Sequence, residues 1–82
     1  MTATKHRLRL SWRKRQRLER EEYLDPTDDA RLRELLEELA EEASEGRDVR
    51  LDEWKLEVFP GRRRRRIATV RVDASGRTEV KR

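Results

Sequence analysis

The sequence predicts an α+β fold in two layers, one amphipathic helix packed on an antiparallel sheet of four or five strands. Three observations carry that expectation. One stretch, 26–45, repeats its leucines at helical spacing. The stretches before and after it alternate apolar and charged residues with period two. The second of those stretches is punctuated by Pro60-Gly61 and by the turn tetrapeptide Asp73 to Gly76. The order is β-α-β-β-β, or β-β-α-β-β-β if the N-terminal part folds back on itself. Eighty-two residues make a single domain, 1–82, and a chain this short buries only about 60% of its unfolded surface, so its core is small.

The N-terminal apolar residues Leu8, Leu10, Trp12, Leu18 and Leu24 are all even-numbered. Period two accounts for them and a 3.6 period does not, so a strand is expected from about residue 5 to 13. For residues 13–24 a continued strand is preferred to a second strand after an unmarked turn, or to a short helix capped by Ser11.

The helix is expected over 26–45. Asp25 serves as N-cap, Pro26 occupies the first helical position, Asp28 and Asp29 suit the positive end of the macrodipole, and Gly46 takes the left-handed stop. Leu32, Leu35, Leu36, Leu39, Ala40 and Ala43 gather on one stripe. A β-meander follows, with Trp54, Leu56 and Val58, then Ala68, Val70 and Val72, then Val80 pointing toward the helix. The expected core is Leu8, Leu10, Trp12, Leu32, Leu35, Leu36, Leu39, Val49, Leu51, Trp54, Leu56, Val58, Val70, Val72 and Val80.

The net charge of +4 conceals a partition: residues 1–24 carry +5, residues 25–48 carry −7 and residues 49–82 carry +6. The strand segments are therefore basic and the helix acidic, a pattern that bears on partners and solubility. The densest charge is Arg62 to Arg66, five arginines between the Pro-Gly turn and an alternating run. Extending the phase of Ala68, Val70 and Val72 backwards places Arg62, Arg64 and Arg66 on the helix side and Arg63, Arg65 and Arg71 on the other, so the run is expected to begin a strand. Arg7, Arg9, Arg13 and Arg15 fall on the same open side. Arg7, Arg9, Arg13, Arg15, Arg63, Arg65 and Arg71 are thus the candidate polyanion-binding residues, opposed on that face by Glu57 and Glu79.

The chain contains no cysteine and a single histidine, His6, which is expected to be exposed. No phosphate loop, dinucleotide fingerprint, metal-ligand spacing or nucleophile–base pair occurs, so no catalytic residue, cofactor, metal or small-molecule substrate is expected. The one enzymatic reading weighed, an mRNA-cleaving toxin-like domain, would have to rely on Tyr23 and the sheet arginines, with no supporting motif. No apolar run reaches the ~18 residues of a membrane span, and the first ten residues lack the apolar core of a secretory signal, so a soluble cytoplasmic protein with no membrane partner is expected.

Two resemblances stand beside this reading. "DPTDDARLRELLEELAEEASEG" and "VRVDASGRTEV" combine capping, amphipathic stripe, terminal glycine and tight turn in the manner of idealised, computationally designed small α/β proteins. "WKLEVFPGRRRRRIATVRV" resembles the three-stranded DNA-reading sheets of phage-type integrase arm domains, although those sheets precede a helix. Two functions are expected to compete. The first is a non-catalytic scaffold or interaction module, self-associating through its sheet face or edge. The second is a nucleic-acid-binding accessory domain of a high-GC bacterium or its phage, contacting phosphates through arginines. Arginine outnumbers lysine eighteen to four and asparagine is absent, a bias that either GC-rich codons or sequence design produces. With Trp12 and Trp54 in the inward phase, Phe59 is the aromatic expected to be free for base stacking.

Overall fold

The computed structural model describes residues 3–82. Five antiparallel strands, β1 (Thr4–Trp12), β2 (Arg15–Leu24), β3 (Trp54–Pro60), β4 (Ala68–Val72) and β5 (Thr78–Lys81), form one sheet in the order β2-β1-β3-β4-β5. Helix α1 (Asp29–Ser44) lies between β2 and β3 in sequence and covers one sheet face. A single 3₁₀ turn, Leu51–Glu53, leads into β3. Strands β2 and β3 both run antiparallel to β1, hence parallel to each other, and that crossover requires a helix-length connection. The β-β-α-β-β-β order is therefore the observed one. No helix among the described residues is long and apolar enough to cross a membrane.

Residues 13–24 do not continue β1. The chain reverses at Arg13 and Lys14, whose φ angles of 48° and 70° form a two-residue turn of the kind that matches strand twist. Neither residue favours that conformation, which explains why nothing in the sequence marks it. On β2 the register shifts between Leu10 and Ser11: Leu10 faces Leu18 but Ser11 faces Gln16, leaving Arg17 as a bulge.

The helix begins later than expected. Asp28 is the N-cap, its Oδ1 accepting the Arg31 N–H at 3.1 Å, whereas Asp25 accepts the Thr27 N–H (3.0 Å) and hydroxyl (2.7 Å) in a preceding turn. At the other end Glu45 adopts the left-handed conformation (φ 56°), one residue before the expected Gly46, which is itself left-handed. Arginines strap the helix to the sheet at both sides. Arg33 donates to Gly76 O (2.6 Å) and Thr78 Oγ1 (2.8 Å), Arg82 pairs with Asp29, and Arg20 pairs with Glu42.

The core between the layers contains Leu8, Leu10, Leu24, Leu32, Leu35, Leu36, Leu39, Ala40, Trp54, Leu56, Val58, Ala68, Val70 and Val72. Trp12, Val49, Leu51 and Val80, expected in it, are half-buried at its margin. His6, expected to be exposed, is 4% exposed, with Nδ1 2.8 Å from the Thr4 carbonyl. Its even number places it on the inward face of β1 with Leu8 and Leu10.

The arginine run is not strand. The β3–β4 ladder ends at the Val58–Ala68 pair, closed by Ile67 N–H donating to Val58 O (2.8 Å), and residues 61–67 form a loop. A strand would drive Arg62, Arg64 and Arg66 toward the helix-side core, where a charge without a partner is costly. Gly61, at φ 52°, and the hydrogen bond from Arg63 N to Pro60 O (3.0 Å) turn the chain out so that all five side chains reach solvent. The second tight turn is as expected. Gly76 is left-handed (φ 90°), and Asp73 Oδ1 accepts from the N–H groups of Ser75 and Arg77 and from the Ser75 hydroxyl. These bonds, the Ser75 hydroxyl's first, hold the Asp73 carboxyl below the usual range.

Candidate functional site

Across the open sheet face the register sets out rows of side chains. One row runs Glu21, Arg7, Phe59; the next Glu19, Arg9, Glu57, Thr69, Lys81; the next Gln16, Ser11, Lys55, Arg71, Glu79. The face is thus a mosaic of both signs rather than a basic sheet, because the fold-back of β2 adds Glu19 and Glu21 to the expected Glu57 and Glu79.

Arg7 and Arg9 are occupied by the protein itself. Their guanidinium carbons lie 4.8 and 4.9 Å from the centre of the Phe59 ring, and Phe59, expected to be exposed, is 5% exposed beneath them. Arg7 Nε lies 3.0 Å from Glu19 Oε1 without hydrogen-bond alignment, and Arg7 Nη2 donates to Arg63 O (3.3 Å). Arg9 Nε is buried with no hydrogen-bond partner among the described residues. Beside them Glu57, 8% exposed, accepts from Arg66 Nη1 at 2.9 Å and lies 4.0 Å from Lys55 Nζ. Phe59 and these charges make a second, minor core on the face the helix leaves bare.

The remaining candidates separate. Arg13 sits in the β1–β2 turn, its Nε 2.6 Å from Glu53 Oε2 and its guanidinium 4.7 Å from the Trp12 ring. Arg15 pairs in register with Trp12 and so lies on the helix side of the sheet, not on the open side, because the two-residue turn sets it opposite Trp12 and the bulge at Arg17 restores the even-inward phase only from Leu18 onward. Arg71 is exposed on the open face between Lys55 and Glu79. Arg63 and Arg65 are exposed in the loop.

That loop is the densest unsatisfied charge in the molecule. Of its five arginines only Arg66 makes a side-chain ion pair among the described residues, with Glu57; the side chains of Arg62, Arg63, Arg64 and Arg65 have neither a carboxylate nor a carbonyl partner there. The loop is nonetheless anchored, by the Arg7 bond to the Arg63 carbonyl, the Arg66 pair, and the Ile67 N–H at its exit. Its neighbour on the open face is Glu21, whose carboxyl is held below its usual range by the hydrogen bond and charge of Lys5 (2.8 Å), with Arg62 and Arg7 adding to the effect.

Two features lie outside the expected polyanion-binding residues. Tyr23, opposite Lys5 at the same end of the sheet, is 69% exposed, the one large apolar side chain so exposed among the described residues. Its odd number in an even-inward pattern was the available signal. The other is a groove of about 460 Å³ at the opposite end, between Trp12, Trp54, Arg17 and the end of α1, with the indoles 6.2 Å apart. Among the described residues no three His, Asp or Glu side chains gather in a way that could hold a metal ion. The acidic face of α1 lies on the far side of the sheet from the open face, where Glu34, Glu37, Glu38, Glu41, Glu42 and Glu45 are exposed.

The chain matches no protein-family model, no curated protein and no solved structure.

Proposed function

We propose that this protein is a non-catalytic binding module whose partner is a nucleic acid, held through phosphate contacts from the Arg62–Arg65 loop. One observation supports this above the others: four consecutive exposed guanidinium groups have no acceptor among the described residues, on a loop tied to the sheet through the Arg63 carbonyl, the Arg66 side chain and the Ile67 N–H. Guanidinium forks match phosphate geometry, and an anchored loop loses little freedom when it binds. Arg71 extends the positive surface, whereas Arg7 acts by holding the loop through the Arg63 carbonyl.

The test is binding of labelled single- and double-stranded DNA and RNA at about 50 and 200 mM salt, with light scattering on the same sample. With four phosphates engaged, log Kd should change with log salt at a slope of magnitude roughly 3. Arg63→Glu with Arg65→Glu should abolish binding while leaving the melting curve in place. Salt-independent binding, or none at 50 mM, would reject the proposal. Light scattering showing a defined dimer would then favour the interaction-module reading, with the arginines acting as solvated charge.

A further inference from the structure

Resting on the loop reading above, we infer that the preferred ligand is single-stranded, with Tyr23 as a stacking platform for an unpaired base. The register gives the geometry. Tyr23 on β2 faces Lys5 on β1, and the next residue, His6, faces Pro60, the last residue of β3 before Gly61 opens the arginine loop. Two strand spacings, ~10 Å, separate the tyrosine from the root of the loop, and both lie at one end of the sheet. A backbone crossing the loop arginines thus has an aromatic face a few nucleotides away, within the ~4 to 16 nucleotides that small single-strand binding folds cover.

The other aromatic side chains do not compete for this role. Phe59 is sealed beneath Arg7 and Arg9, Trp54 is buried, and Trp12 lies at the far end of the sheet beneath Arg13 and Arg17. Nor do nearby acids repel the strand. Glu21 is neutralised by Lys5, and Glu22, opposite His6, falls on the helix side. Tyr23 adds nothing to the core, and its exposure at the same end of the sheet as the arginine loop fits a ligand that offers both phosphate and a flat ring. A duplex offers the first and conceals the second.

The experiment measures anisotropy of labelled dT20 and of a 20-base-pair duplex, with heparin as competitor, for the native chain, Tyr23→Ala, Tyr23→Phe and the Arg63→Glu/Arg65→Glu variant. The native chain should bind dT20 at least about 10-fold more tightly than the duplex. Tyr23→Ala should weaken dT20 binding by about 5- to 100-fold while moving duplex and heparin binding less than about 2-fold, and Tyr23→Phe should retain the preference. Tryptophan emission, reporting Trp12 and Trp54, should not move, showing that the fold is intact. If Tyr23→Ala leaves the dT20-to-duplex ratio unchanged while the arginine variant abolishes binding, stacking is refuted and the loop reading survives. If the native chain binds neither nucleic acid, both fall.

Discussion

Arg7 and Arg9 on one hand and Arg62 to Arg65 on the other are the same side chain on the same side of the molecule, put to opposite uses. The first pair spreads its stems over Phe59, with guanidinium groups under 5 Å from the ring, and is half-buried. The second group projects from a turn with no acceptor among the described residues. What separates them is the neighbour each meets. A strand arginine meets cross-strand neighbours at fixed spacing: Arg7 lies over Phe59 and pairs with Glu19, and Arg9 lies over the same ring, flanked in register by Glu19 and Glu57. A loop arginine beyond the last ladder bond meets water. Counting arginines on a face therefore overstates its capacity for phosphate; what counts is the number left without a partner.

The comparison breaks most sharply at Phe59. Phe59→Ala should remove the platform for both arginines and cost about 3 to 5 kcal/mol, a large share of the stability of so small a domain, measured as a fall in the urea midpoint. Arg9→Ala should cost about 1 to 2 kcal/mol, since it loses stem packing and a cation–π contact but relieves a buried, unpartnered Nε–H. Next to these, Arg63→Glu with Arg65→Glu should change stability by less than about 0.5 kcal/mol, because exposed residues without partners leave nothing unpaired behind. Urea melts of the three variants rank the two classes directly. A loop variant as damaging as Arg9→Ala would erase the distinction drawn here.

Much of the fold was legible because its signals are local. Leucine spacing fixed the face of α1, and Asp73 to Gly76 specified their own turn through Asp73 and a left-handed glycine. The β1–β2 reversal was not legible, since Arg13 and Lys14 take left-handed angles without the asparagine or glycine that announces them. The turn and the bulge at Arg17 have further effects: they set Arg15 opposite Trp12 on the helix side and bring Glu19 and Glu21 onto the open face. The arginine run was misread for another reason. Phase extends smoothly through any sequence, but desolvation does not, and inward-pointing arginines end a strand that parity alone would prolong. Phe59 and Tyr23 share a parity, yet one is buried and the other exposed. The difference is strand position: β3 is central and flanked by arginine stems, while β2 is an edge.

The strand order also sets a timetable for the chain as it is made. Residues 4–24 can close as a hairpin as soon as they emerge, but β1 pairs on its other side with β3, Trp12 with Trp54 and His6 with Pro60. Until residue 60 has been synthesised, Leu8 and Leu10 lack their Leu56 and Val58 neighbours, and one full edge of β1 stays open. Closure across so wide a sequence gap is slow relative to helix formation. Before β3 exists, the apolar partners already made for Leu8 and Leu10 are those of the hairpin itself and the leucine stripe of α1, both complete by residue 44.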